Sequence, residues 1–254
     1  VEFDGNPILL LGSGTYRIGS SVEFDWCCVN CTRALKKLGH KTSILNYNPE
    51  TVSTDYDECD FLFFEEISFE SVYDIHKKMN PKGIVFSMGG QIPNNLVVEC
   101  SEYGMPVLGT RAENIDKAED RYKFSQLLER HEVDQPIWKE LTTIADAKMF
   151  SNSIGYPVLI RPSYVLSGAA MNVAYDDETL ELYLMKASKL SQEYPVVVSK
   201  YISGAKEIEL DAVAQNGRIV VSAITEHVEN AGVHSGDATI VIPPQKLYLE
   251  TVRR

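Results

Sequence analysis

The stretch LIRPSYVLSGAAMNVAYD, Leu159 to Asp176, sets an arginine at the end of an apolar run, then small residues, then a second apolar run. An arginine delivered at a strand end offers a planar fork of donors suited to phosphate oxygens. Ser163, Ser167, Gly168, Ala169 and Ala170 are small enough for backbone N–H groups to approach a phosphate chain. A surface hairpin with a solvated Arg161 is the plainer alternative. Further on, EIELD places Glu207, Glu209 and Asp211 on one strand face, because strand side chains alternate. Carboxylates in such a row repel one another and call for solvent, a cation, or hydroxyl donors such as a ribose. EHVENAGVHSGD then gathers Glu226, His227, Glu229, His234 and Asp237 among glycines, with Gly232 and Gly236 permitting close backbone approach. That density resembles a ligand loop, although its spacing carries no zinc signature.

A second glycine-rich segment, LGSGTYRIGSS, stands where a dinucleotide fingerprint would lie. Its glycines are Gly12, Gly14 and Gly19, the third fingerprint position is Arg17, and NYN at the end of the next strand has no acid for a ribose. GK[ST] is absent too. An anion site at a helix N-terminus and a tight structural turn remain open. Cys28 and Cys31 form a CxxC with no second pair to complete a zinc set, and read as small residues buried on a helix. The odd count, with Cys27, Cys59 and Cys100, suggests reduced thiols in a reducing compartment. A formal net charge of -12 weighs against nucleic acid or an anionic membrane as main partner, since both need a basic footprint. A nucleotide needs only a few local cations. No apolar run reaches the ~18 residues of a membrane span, and VEFDGNPILLLG does not read as a signal or transit peptide.

The elements that must position these residues fall into two groups. PILLLG, KTSILNYN, FLFFEE, KGIVFSMGG and MPVLGT read as strands alternating with helices, one of them opened by a Ser68 cap. Alternation of this kind implies a doubly wound parallel sheet, over residues 1 to about 119. The second group reads as α+β with antiparallel strands: helix DRYKFSQLLERHEV, extended QPIWKELT, helix TIADAKMFSNSIG, strand YPVLIRP, helix DDETLELYLMKASKLSQ and strand YPVVVSKYI. KEIELDAVAQ and RIVVSAITEHV flank Asn216-Gly217, a strong hairpin signal. LYLETVRR enters a helix at the chain end, which reads as a piece of something longer.

The strings RIGSSVEFDWC, NPETVSTDYD, MGGQIPNN, AEDRYKF, RPSYVLSGAAMN and EHVENAGVHSGD resemble the large-subunit synthetase region of carbamoyl phosphate synthetase. That enzyme carries two related ATP-grasp halves, and NPETVSTDYD and RPSYVLSG resemble the second. The start GSGTYRIGSS and SGAAMNVAY look eukaryotic, closer to the multifunctional pyrimidine-pathway polypeptide than to the mitochondrial urea-cycle enzyme. The resemblance implies an α/β fold: a doubly wound parallel-sheet pre-ATP-grasp domain over 1–119, then a truncated α+β ATP-grasp domain over 120–254. It implies phosphorylation of carbamate by ATP, giving carbamoyl phosphate and ADP. Arg121 and Arg161 match arginines on the ATP phosphates. Ser167 and Gly168 match a flexible loop that covers them. Lys200 and Ile202 match an adenine hinge acting mostly through backbone groups, and Glu207 matches the ribose carboxylate. Gly232, Val233, His234 and Ser235 match a further nucleotide-contacting stretch. Glu207, His227, Glu229, Asn230 and Val233 match a potassium (K+) site, with Ala238 where some relatives have a serine. Magnesium (Mg2+) ligands are expected beyond Arg254, so the chain alone is expected to be inactive. The implied partners are ATP, carbamate, the remaining synthetase half and a glutaminase domain or subunit. The implied location is cytoplasmic, with the mitochondrion second. Competing readings are another ATP-grasp carboxylate ligase, such as a biotin carboxylase, and a nucleotide-binding module without catalysis.

Overall fold

A computed structural model describes residues 5–15, 22–162, 171–190, 196–233 and 238–253. The chain divides into two compact units, Val1–Asp134 and Gln135–Arg254.

In the first unit, β1 (Ile8–Leu11), β2 (Thr42–Leu45), β3 (Phe61–Phe63), β4 (Gly83–Val85) and β5 (Val107–Leu108) form one sheet in the order β3-β2-β1-β4-β5. All its pairings are parallel. Unbroken apolar strands such as ILLL suit a sheet covered on both faces, and all of β1 is buried. Alternate residues of β1 feed opposite layers. Leu9 and Leu11 pack with Leu45, Phe86, Val72 and Val97. Ile8 and Leu10 pack with Ile44, Val85, Cys28 and Cys59. The helices are α1 (Val22–Lys37), α2 (Phe69–Met79), α3 (Gln91–Glu102), α4 (Ala112–Glu119) and α5 (Arg121–Arg130). Ser68 caps α2 as expected, its side chain accepting from Ser71 N. The five cysteines are free; of the CxxC pair on α1, Cys28 is buried as expected and Cys31 is half-buried, while Cys59 and Cys100 are buried elsewhere.

Strand order reverses between β1 and β4, and the crevice outside their carboxyl ends is built on one buried amide. Asn46 Oδ1 accepts from Gly14 N and Tyr47 N, each at 3.0 Å. Asn46 Nδ2 donates to Ser53 Oγ at 3.0 Å and Thr51 Oγ1 at 3.4 Å. A Cβ on Gly12 would stand 2.4 Å from Asn46 Cγ, and one on Gly89 would stand 2.2 Å from the Gly12 carbonyl oxygen. Asp25 on α1 accepts from Val52 N and Ser53 N at 3.0 and 3.1 Å, fastening the short 3-10 turn Val52–Thr54. Gly12 and Gly14 therefore serve a tight structural turn; Arg17 and Gly19 lie outside the described residues.

The second unit holds an antiparallel sheet of β6 (Trp138–Leu141), β7 (Val158–Pro162), β8 (Asn172–Ala174) and β9 (Val196–Lys200), ordered β6-β9-β7-β8. Helices α6 (Ile144–Ile154) and α7 (Asp177–Leu190) bury Val158, Ile160 and Val198 against Ala147, Leu180 and Leu184. The remaining strands, β10 (Lys206–Gln215), β11 (Arg218–Asn230) and β12 (Ile240–Val241), form a second antiparallel sheet, and α8 spans Leu249–Arg253. Asn216 and Gly217 have φ of 52° and 75°, the paired left-handed conformations that a two-residue hairpin needs. Among the described residues, no helix is long and apolar enough to cross a membrane.

Candidate functional site

The register of β10 on β11 builds the site. Glu209 stands opposite Thr225 and Ile208 opposite Glu226, with an irregularity before Lys206 pairs with Asn230. Alternation then gathers Glu207 and Glu209 with Thr225, His227 and Glu229 on one face. His227 is fully buried. Its Nε2 lies 3.1 Å from Glu209 Oε1, and its Nδ1 lies 4.0 Å from Glu207 Oε2 without a hydrogen-bond partner. Thr225 Oγ1 is a second buried polar atom without a partner. Glu207 Oε2 accepts weakly from Gly232 N at 3.4 Å.

One ligand atom from each of Glu207, Glu209 and His227 falls within 4.8 Å of the others. Two half-exposed carboxylates facing a buried imidazole present oxygen donors that suit a hard cation. Among the described residues, His227 Nδ1 and Thr225 Oγ1 have no hydrogen-bond partner, which leaves this polar face open to a ligand. The residues present therefore fit a cation such as K+ in part. Glu207 and His227 come together as expected, and Glu209 joins them. Glu229 is engaged elsewhere: Oε2 accepts from Thr239 N and Oε1 from Thr239 Oγ1, both at 2.9 Å. Those hydrogen bonds, the backbone one foremost, hold its carboxyl below the usual range. Asn230 ends β11 opposite Lys206, and Val233 is bridged to Ala231.

The segment after β9 meets this cluster. Ala231 N donates to Ala205 O at 2.8 Å. Gly232, at φ 110°, keeps its backbone near Tyr201, whose hydroxyl would be 3.8 Å from a Cβ there. Lys200 is turned the other way. Its ammonium donates to Gly155 O and Tyr156 O at 2.8 and 3.0 Å, and its N–H donates to Ile137 O. Any part it has in a nucleotide site is thus through its backbone. Ile202 is exposed. Arg161 is half-buried on β7, opposite Val197, while Val158 stands opposite Lys200. Arg121 opens α5 behind the cap of Asp120, in the first unit, but its side chain lies outside the described residues. Ser167, Gly168, His234 and Ser235 also lie outside them.

Glu226 points to the opposite face and is structural. It accepts from Lys206 Nζ, Gln245 N and Lys246 N at 2.8–2.9 Å. The Lys206 ammonium first, then the Lys246 N–H, hold its carboxyl down to about 2.

Family models match the chain in two blocks. Residues 4–117 match the carbamoyl phosphate synthase preATP-grasp domain, and residues 120–254 match the carbamoyl-phosphate synthase L chain, ATP binding domain. The chain belongs to the carbamoyl phosphate synthase large-chain family. It is 60% identical over 254 residues to the multifunctional protein pyrABCN of Emericella nidulans, covering 100% of this chain and 11% of that protein. It is 57% identical to the mitochondrial arginine-specific carbamoyl phosphate synthase large chain of Schizosaccharomyces pombe, covering 100% of this chain and 22% of that protein. The chain thus spans 11% to 23% of the length of the curated relatives it matches. Its fold is shared with the biotin carboxylase domain of Hydrogenobacter thermophilus 2-oxoglutarate carboxylase, at a TM-score of 0.72 and 19% identity, over 96% of this chain and 55% of that one. The sequence likeness sets it with the synthases and not with that carboxylase. The two synthase models meet between residues 117 and 120, whereas the compact units divide after Asp134. Helix α5 accounts for the offset: it falls in the ATP binding model by sequence but packs on α4.

Proposed function

We propose that this chain supplies part of the nucleotide site with which a carbamoyl phosphate synthase phosphorylates carbamate, giving carbamoyl phosphate and ADP. The observation that carries the reading is His227, buried between Glu207 and Glu209, in a segment matched by the family's ATP binding model. Phosphoryl transfer asks the protein for positioning and charge neutralisation, with little covalent help. Arg121 and Arg161 would neutralise the phosphates, and the loop of Ser167 and Gly168 would cover them. Backbone groups of Lys200 and Ile202 would hold the adenine, and Glu207 would take the ribose hydroxyls. Gly232, Val233, His234 and Ser235 would line the nucleotide. Potassium, on Glu207, His227, Glu229, Asn230 and Val233, and magnesium would supply positive charge when bound. The remaining synthetase half and a glutaminase domain or subunit are the partners this reading requires. A cytoplasmic pyrimidine-pathway setting is favoured, with a mitochondrial one as the alternative.

Binding of ADP to the chain, followed by calorimetry, tests the reading. A hydrogen bond to a charged group is worth ~1.5–3 kcal/mol, so Glu207→Ala, which removes the acceptor, should weaken ADP about 10-fold or more. Equal affinity in the folded variant would remove Glu207 from the site.

A further inference from the structure

His227 is fully buried and its two ring nitrogens are treated differently. Nε2 is within hydrogen-bond distance of Glu209 Oε1, at 3.1 Å. Among the described residues Nδ1 has no hydrogen-bond partner, and Glu207 Oε2, at 4.0 Å, is too far to accept from it. A carboxylate can only accept, so the Glu209 contact requires the proton on Nε2. A second proton on Nδ1 would be a buried donor with no acceptor among the described residues.

We propose that Glu209 is a positioning residue: it fixes His227 as the Nε2–H tautomer and leaves the Nδ1 lone pair turned toward Glu207. The arrangement is a carboxylate–imidazole pair in which the outer acid sets the ring's orientation and which nitrogen stays open. The open nitrogen and the Glu207 carboxylate together present electron pairs. Their ligand is therefore electron-poor at that point, a hydroxyl hydrogen or a cation. Glu207 would then contact the ligand while Glu209 would act only through the ring. This deepens the proposed nucleotide site and rests on it for the ligand, but the tautomer itself does not.

The chain has five histidines, so ring signals in the 254-residue protein can be assigned by replacing the other four one at a time. Long-range proton–nitrogen correlation spectra at about pH 8.5, well above the ordinary imidazole range of about 6.5, report which nitrogen carries the proton. The expected result is a protonated Nε2 and an unprotonated Nδ1. A protonated Nδ1, or protons on both nitrogens, overturns the proposal. Glu209→Gln keeps an acceptor oxygen and should keep the tautomer. Glu209→Ala should yield a mixture, with ADP affinity lowered at least 5-fold more than in Glu209→Gln. A tautomer unchanged in Glu209→Ala also overturns it. If the tautomer is as expected but ADP does not bind, the nucleotide reading fails while the positioning role stands.

Discussion

Asn46→Ala is a demanding test of how the first unit is held. The Asn46 side chain is buried and makes four hydrogen bonds, two of them from backbone N–H groups. Truncation leaves Gly14 N without its acceptor, and an unpaired buried donor costs ~1–3 kcal/mol. Ser53 Oγ keeps contact with Thr51 Oγ1 at 3.2 Å, so its loss is partial. Tyr47 N is only part-buried, so water can replace its acceptor. The space vacated against Gly12 adds a packing loss. Together these give about 2–4 kcal/mol. Asn46→Asp keeps the acceptor for both backbone groups but buries a carboxylate with no cation beside it, so it should cost at least as much as Asn46→Ala. Urea unfolding read by hydrogen exchange on peptides from residues 5–15 and 42–48 reports this unit alone. An unchanged m-value with a shifted midpoint would mark a pure stability effect. Asn46→Ala within ~0.5 kcal/mol of the parent would refute the pinning argument.

Gly89→Ala forces a Cβ to 2.2 Å from the Gly12 carbonyl, a backbone atom that cannot swing aside; a loss of ~3 kcal/mol or more is expected in the same unfolding measurement. Lys200→Met strips the charged donor from Gly155 O and Tyr156 O, so about 1.5–3 kcal/mol should be lost in the unfolding midpoint of the second unit and not in ADP affinity. Glu226 has its folded pKa depressed to about 2, so its contribution is full above the ordinary glutamate value of 4.5 and disappears as pH falls from there through 2. Glu226→Gln should flatten the acid limb of a thermal stability profile between about 4.5 and 2, and an unchanged limb would contradict the clamp on Gln245 and Lys246. Burial pushes the Cys28 thiol up, and holds that of Cys100 up to about 12. Alkylation of the folded chain, followed by mass spectrometry, should therefore mark Cys27 before Cys28 or Cys100.

The strand–helix alternation of the first unit was legible because Ile8–Leu11 and its fellows are short apolar runs bounded by glycine and polar turns. The hairpin was legible because Asn216-Gly217 accepts left-handed backbone at both positions. Helix α4 was not, since in AENIDKAE only Ala112 and Ile115 are buried and the apolar stripe is too thin to stand out. Strand β12 has two residues and exists through its pairing with β11. At the site, strand alternation foretold that Glu207 and Glu209 share a face, but their meeting with His227 depends on the β10–β11 register, including a bulge that no local pattern reveals. The direction of the Lys200 side chain was equally hidden, because it is set by the end of α6, far away in sequence.

The central claim is tested most directly by the synthase run in reverse. A complete synthase containing this chain, given ADP, carbamoyl phosphate, magnesium and potassium, should form ATP. Arg161→Ala should reduce that rate by about 100-fold or more, the usual cost of losing one donor to a developing phosphoryl charge. A folded, ADP-binding synthase that forms no ATP, or an Arg161→Ala variant as fast as its parent, would contradict the account.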